Sequence, residues 1–144
     1  EDVYLRIKGK GIDLEEKDVL FVRRGSYRIG SVAMVSKYDM KVLLTREISV
    51  FRVINKDNEY GIDPFYLLYL FSHDLTWQQL YNKILIDTTL PNIGDRWQEL
   101  YLPVFKDEER KNEIKNKIYQ IFVRRWEAKE RVNSLKSQFG NFTT

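Results

Sequence analysis

Arg23, Arg24 and Arg28 crowd around Gly25, Ser26 and Tyr27 in the stretch VLFVRRGSYRIGSVAMV, residues 19–35. Guanidinium groups grip phosphate oxygens and read guanine edges with two hydrogen bonds at once. A tyrosine among them is able to stack on a base or wedge between bases. Gly25 lets such a turn approach another backbone closely. Lys37, Lys41 and Arg46 extend the basic character downstream. This is chemistry for holding a polyanion.

Catalytic groupings are scarce. A nuclease needs clustered carboxylates with a lysine beside them; Asp39 and Glu47 come nearest, with no lysine in register. Gly25 and Gly30 follow no phosphate-loop spacing, and no nucleophile elbow is present. The single histidine, His73, stands beside Asp74 at a helix end and reads as a terminus residue. With no cysteine and one histidine, disulfides, thiol chemistry and a structural zinc site are excluded. Asp13, Glu15, Glu16 and Asp18 lack the spacing of a calcium loop and read as a solvated turn. The expectation is a binding protein without catalytic residues, metal or cofactor of its own.

The 144 residues suffice for one domain with a core. An apolar fraction of 43% and a charged fraction of 31% are those of a globular chain. No apolar run reaches membrane-spanning length and no signal peptide is visible. The chain opens at Glu1 directly into a strand-like run, which reads as a fragment of a longer cytoplasmic protein. The net charge of +3 is unevenly spread. Residues 22–56 carry eight cations and two acids, 61–105 two cations and five acids, and 106–144 ten cations and six acids. Such asymmetry fits a polyanion partner.

The pattern predicts an α+β fold: a small mixed or antiparallel sheet, packed helices and a long C-terminal helix. Strands are expected at 3–7, at 19–22 and 29–35 as a hairpin, over the whole of 42–54, and at 99–105. Asp63-Pro64 places an N-cap and a first-turn proline at the head of an apolar helix. A second helix follows at 76–84, and 86–97 is a loop of turn residues.

Asp107 caps a helix running from 108 to about 139. Ile114, Ile118, Ile121, Arg125, Ala128, Val132, Leu135 and Phe139 fall alternately four and three residues apart. This is a heptad seam with Arg125 its only polar member. A helix of this length spans roughly 48 Å at about 1.5 Å per residue. Its far end is expected to project and pair with another helix, in a homodimer or with a second partner. Residues 1–106 then form the main domain and 107–144 a spacer or dimerisation helix.

The order of the pieces carries a resemblance. DVLFVRRGSYRIGSVAMV leads to LLTREISVFRV, then to IDPFYLLYLFSHDLTWQQL, then to ILIDTTLPNIGDRWQELYLPVF, and last to a capped helix beginning KDEERKNEI. From about Asp18 onward this resembles the target recognition domain of type I restriction–modification specificity subunits, a domain also fused to adenine-N6 methyltransferases. Lys17-Asp18 stands where that family usually has Gly-Asp, and Glu108-Glu109-Arg110 lacks its usual glutamine. The resemblance implies a non-catalytic module that recognises part of a double-stranded DNA site. It implies that the hairpin residues Arg23, Arg24, Ser26, Tyr27 and Arg28 and the Thr88-Thr89 loop face DNA, with Lys37, Lys41 and Arg46 as the basic surface that extends this face, and that the heptad seam pairs with a second helix. A methyltransferase subunit or fused domain would supply the chemistry with S-adenosylmethionine. The alternative is a protein-interaction module that dimerises through its long helix, with a merely solvated hairpin.

Overall fold

A computed structural model describes residues 13–25, 28–84 and 91–139, together with the backbone of 4–7. The expected α+β fold is present. Four strands, β1 (Tyr4–Ile7), β2 (Val19–Val22), β3 (Val32–Met34) and β4 (Ile48–Val53), form a sheet in the order β1-β4-β2-β3. Every pairing among them is antiparallel. Three α-helices follow: α1 (Pro64–Ser72), α2 (Asp74–Tyr81) and α3 (Glu108–Phe139).

The two-residue period of the strands sorts their side chains onto two faces. Val19 pairs with Phe51 and Leu20 with Val50. Val19, Phe21 and Phe51 are fully buried on the face that carries α1. There Phe21, Phe51 and Phe71 meet with ring centroids 5.1 to 6.1 Å apart, and Trp97 reaches Phe51 edge-on at 4.8 Å. Those spacings suit aromatic quadrupoles. The opposite face is smaller: Val50 packs with Leu14, Val35, Leu20 and Leu44.

Helix α1 begins as its sequence requires. Asp63 accepts from the Tyr66 N–H at 2.7 Å, and Pro64 occupies the first turn, where its missing N–H costs nothing. His73 ends α1 and starts α2, its Nδ1 accepting from the Leu75 N–H at 3.2 Å. The terminus role expected of it is the one it has.

Three local expectations are corrected. The strand expected over 42–54 begins only at Ile48; residues 42–47 are a loop and turn, held by local bonds from the Val42 N–H to the Asp39 carbonyl at 3.3 Å and from the Ile48 N–H to the Thr45 carbonyl at 3.2 Å. Residues 100–105 form no strand and join no sheet, and the Val104 N–H turns back onto the Leu102 carbonyl at 2.9 Å. Side chains satisfy their backbone instead. Gln79 accepts from the Tyr101 N–H and donates to its carbonyl, both at 2.8 Å, and the Phe105 N–H donates to the Tyr66 hydroxyl at 2.9 Å. The acidic turn is not simply solvated. Asp18 is 1% exposed and takes two 2.8 Å hydrogen bonds from the Arg52 guanidinium, which also donates to Glu15 at 2.5 Å.

Asp107 caps α3, accepting from the Glu109 N–H at 3.0 Å. The first half of α3 belongs to the main core. Ile114, Ile118, Phe122 and Trp126 pack against the sheet-and-α1 cluster, with Phe65 set between Tyr119 and Phe122. Lys111 is buried, with Nζ donating to the Tyr60 carbonyl at 3.2 Å and paired with Glu108.

Candidate nucleic-acid interface

Beyond β2, the described part of the hairpin is tied to another segment of the chain. The Arg23 carbonyl accepts from the Ile93 N–H at 2.9 Å, and the Gly25 N–H donates to the Pro91 carbonyl at 3.0 Å. Arg24 and Asn92 form an antiparallel bridge between these contacts. Gly25 has φ +124°, a conformation that costs a glycine little, and its amide reaches another backbone as its residue type implies. The segment that directly follows the threonine loop is thus laced to the arginine hairpin. Thr88, Thr89, Ser26 and Tyr27 themselves lie outside the described residues.

A third segment joins on the other side. The Arg23 N–H donates to the Glu47 carbonyl at 2.8 Å, and Arg23 Nε donates to the Arg46 carbonyl at 3.0 Å. Arg46 and Arg28 are exposed; Arg23 and Arg24 are half-buried. Glu47 is the acid within this basic cluster. Hydrogen bonds from Thr45 and from its own amide hold its carboxyl below the usual range, and the charges of Arg24 and Arg23 add to them. It therefore stays ionised and offsets part of the arginine charge. Residue type alone marks Glu47 only as a poor catalyst, since nothing in the sequence shows its arginine neighbours.

The returning half of the hairpin is seated on α2. Gly30 has φ +88°, and a β-carbon placed on it would come within 2.6 Å of Leu80 Cδ1 and 3.4 Å of Trp77 Cζ2. The hairpin backbone lies directly on those two side chains.

The remaining basic residues divide. Lys41 is exposed. Lys37 points elsewhere: its Nζ lies 2.5 Å from Glu130 on α3, and that hydrogen bond raises the lysine's pKa. Next to it, Lys129 of α3 donates to both oxygens of Asp39, at 2.8 and 2.9 Å. Lys37 and Asp39 fasten the 36–39 turn to α3, and the Lys37 side chain is ion-paired while remaining half exposed. Asp39, the nearest approach to a catalytic acid, is taken up by Lys129 and by Ser36 Oγ at 2.5 Å.

The heptad seam also divides. Ile114 and Ile118 face the protein's own core. Beyond them, Phe122 and Trp126 rather than Ile121 and Arg125 continue the inward face, so the buried row runs at four-residue spacing from Ile114 to Trp126. Ile121 is 63% exposed, Arg125 and Ala128 are exposed, and Val132, Leu135 and Phe139 follow along the same stripe, Phe139 at 69%.

Among the described residues no cluster of histidine, aspartate or glutamate has the arrangement of a metal site, and no helix is long and apolar enough to cross a membrane. A scan against models of known protein families finds no match, and neither do comparisons with curated proteins or with solved structures.

Proposed function

We propose that the chain recognises double-stranded DNA as the specificity part of a restriction–modification system. A separate or fused adenine-N6 methyltransferase carries S-adenosylmethionine and the chemistry. The observation that carries this reading is the convergence of three distant segments, 23–25, 46–47 and 91–93, at one end of the sheet, with Arg23, Arg24 and Arg46 among them. Guanidinium groups fixed on a braced backbone suit contacts to phosphates and base edges. In this role the protein works in the cytoplasm, without catalytic residues of its own.

The test is fluorescence anisotropy on mixed-sequence duplexes across a salt series. Replacing Arg23 and Arg24 together by alanine is expected to weaken binding and to flatten the slope of log K against log salt by about 0.9 for each phosphate that is no longer neutralised. An unchanged slope contradicts phosphate contacts at the hairpin.

The exposed stripe on distal α3 favours a second reading, an interaction module that pairs through this helix. The two readings separate cleanly. The second requires association in solution and no DNA affinity even at low salt.

A further inference from the structure

Leu43 is 93% exposed, and its immediate neighbour Leu44 packs inward with Leu14, Val35 and Val50. An apolar side chain held this far into solvent has no folding role to explain it. The loop that carries it is fastened at both ends. On one side, Lys129 of α3 holds Asp39, whose carbonyl accepts from the Val42 N–H at 3.3 Å. On the other, Arg46 accepts from Arg23, the first arginine of the hairpin. Leu43 therefore stands in a braced loop, three residues before the Arg46 that is tied to the arginine hairpin, between exposed Lys41 and exposed Arg46, with Met40 and Val42 also exposed.

Resting on the DNA-recognition reading above, we propose that Leu43 is a wedge. It enters the duplex between two base pairs while Lys41 and Arg46 hold the flanking phosphates, kinking the DNA and adding specificity for an easily unstacked step. Apolar side chains flanked by cations serve this purpose in proteins that bend DNA, where unstacking is offset by the extra contacts that the bend permits. The local charge decides between DNA and a protein partner. From Met40 to Arg46 the chain has two exposed cations, and the acids that flank this stretch are engaged, Asp39 by Lys129 and Ser36 and Glu47 beside Arg23 and Arg24, so the charge left outward is positive and suits a polyanion.

The probe is a duplex carrying the motif that this protein enriches from a random pool, with 2-aminopurine placed at each adenine in turn and a donor–acceptor dye pair on its ends. Binding of the unaltered protein is expected to raise 2-aminopurine fluorescence several-fold at one step and to shorten the end-to-end distance. Leu43→Ala should abolish both signals with the salt slope unchanged, and Leu43→Met should restore them. Binding by the unaltered protein without a fluorescence rise, or a rise that survives Leu43→Ala, overturns the wedge and leaves DNA recognition standing. So does an alanine variant that keeps both DNA signals but no longer retains a methyltransferase subunit; that result makes Leu43 a protein contact. Failure of the unaltered protein to bind DNA or to enrich a motif overturns the recognition reading, and the wedge with it.

Discussion

Arg23 and Arg46 are tied side chain to backbone: the Arg23 Nε donates to the Arg46 carbonyl at 3.0 Å. The guanidinium of one arginine is used to place the other, and Arg46 keeps its own guanidinium exposed. Two basic segments from different parts of the chain thereby become one surface.

That division of labour separates charge from architecture. Arg46→Ala leaves the accepting carbonyl in place, so its melting temperature should stay near the original, within the roughly ±0.5 kcal/mol of an ordinary surface change. DNA affinity should fall, with a salt slope shallower by about 0.9. Arg23→Ala removes the donor as well, and should lower both DNA affinity and stability, the latter by about 1 kcal/mol. Thermal melts and anisotropy on the two variants check the contrast.

The Asp18–Arg52 pair should dominate the stability of the sheet's smaller face. Asp18 is almost wholly buried, and Arg52 bridges it to Glu15 and to the Asp13 carbonyl at 2.9 Å. Removing one partner strands the other. Asp18→Ala should cost about 3–5 kcal/mol in urea unfolding, whereas replacing exposed Glu15 should cost under about 1 kcal/mol.

Gly30→Ala should be disproportionately harmful for one added methyl. The positive φ and the approach to Leu80 and Trp77 act together, giving an expected loss of about 2–4 kcal/mol. Gly25→Ala meets open space at its β-carbon and should lose only the backbone contribution, roughly 1 kcal/mol. Comparing the two in parallel denaturation curves isolates the contact from the conformation.

The fastening of the 36–39 turn to α3 should depend on pH in a defined direction. Burial raises the Asp39 carboxyl, but hydrogen bonds from Lys129 and Ser36 outweigh it and hold the folded value below the ordinary one. Glu130 is likewise lowered, by Lys37 and Tyr38. For a depressed carboxylate the stabilisation is complete above the unfolded pKa of about 4 and disappears as pH falls through the lower folded value. Asp39→Asn should therefore melt below the unaltered protein at pH 7, and the gap should close at acidic pH. A gap that does not narrow as the pH falls below about 4 contradicts the ion-pair account.

The distal α3 stripe yields a contrast between neighbouring positions. Leu135→Asp should weaken helix-mediated association at least tenfold, about 1.4 kcal/mol, without changing the melt of the monomer, because Leu135 is exposed. Ile118→Asp should instead destabilise the domain, since Ile118 packs into the core. Sedimentation over a concentration series reads the first effect, and a protein monomeric throughout contradicts pairing.

The elements legible in the sequence are those specified by local chemistry. Asp63-Pro64, His73 and Asp107 announce helix ends because a cap is made within a few residues. The hairpin is legible from its β-branched flanks. What escapes depends on distant partners. The segment 100–105 has the composition of a strand, but Gln79 and Tyr66, rather than a neighbouring strand, take up its backbone. The heptad spacing is real as a pattern, yet it does not show that the domain claims Ile114 and Ile118 and leaves Ile121 outside. Of the candidate interface, the arginines are evident from their density. The bracing by 91–93 and by Arg46 is not, because backbone acceptors leave no mark on residue type.

The central claim is that this chain reads DNA sequence. Its most direct test is selection from a randomised duplex pool at low and at moderate salt, with the retained DNA sequenced. Enrichment of one short motif that persists at moderate salt is the predicted result, and it names the target. Retention without a motif, or no retention at low salt, contradicts the account.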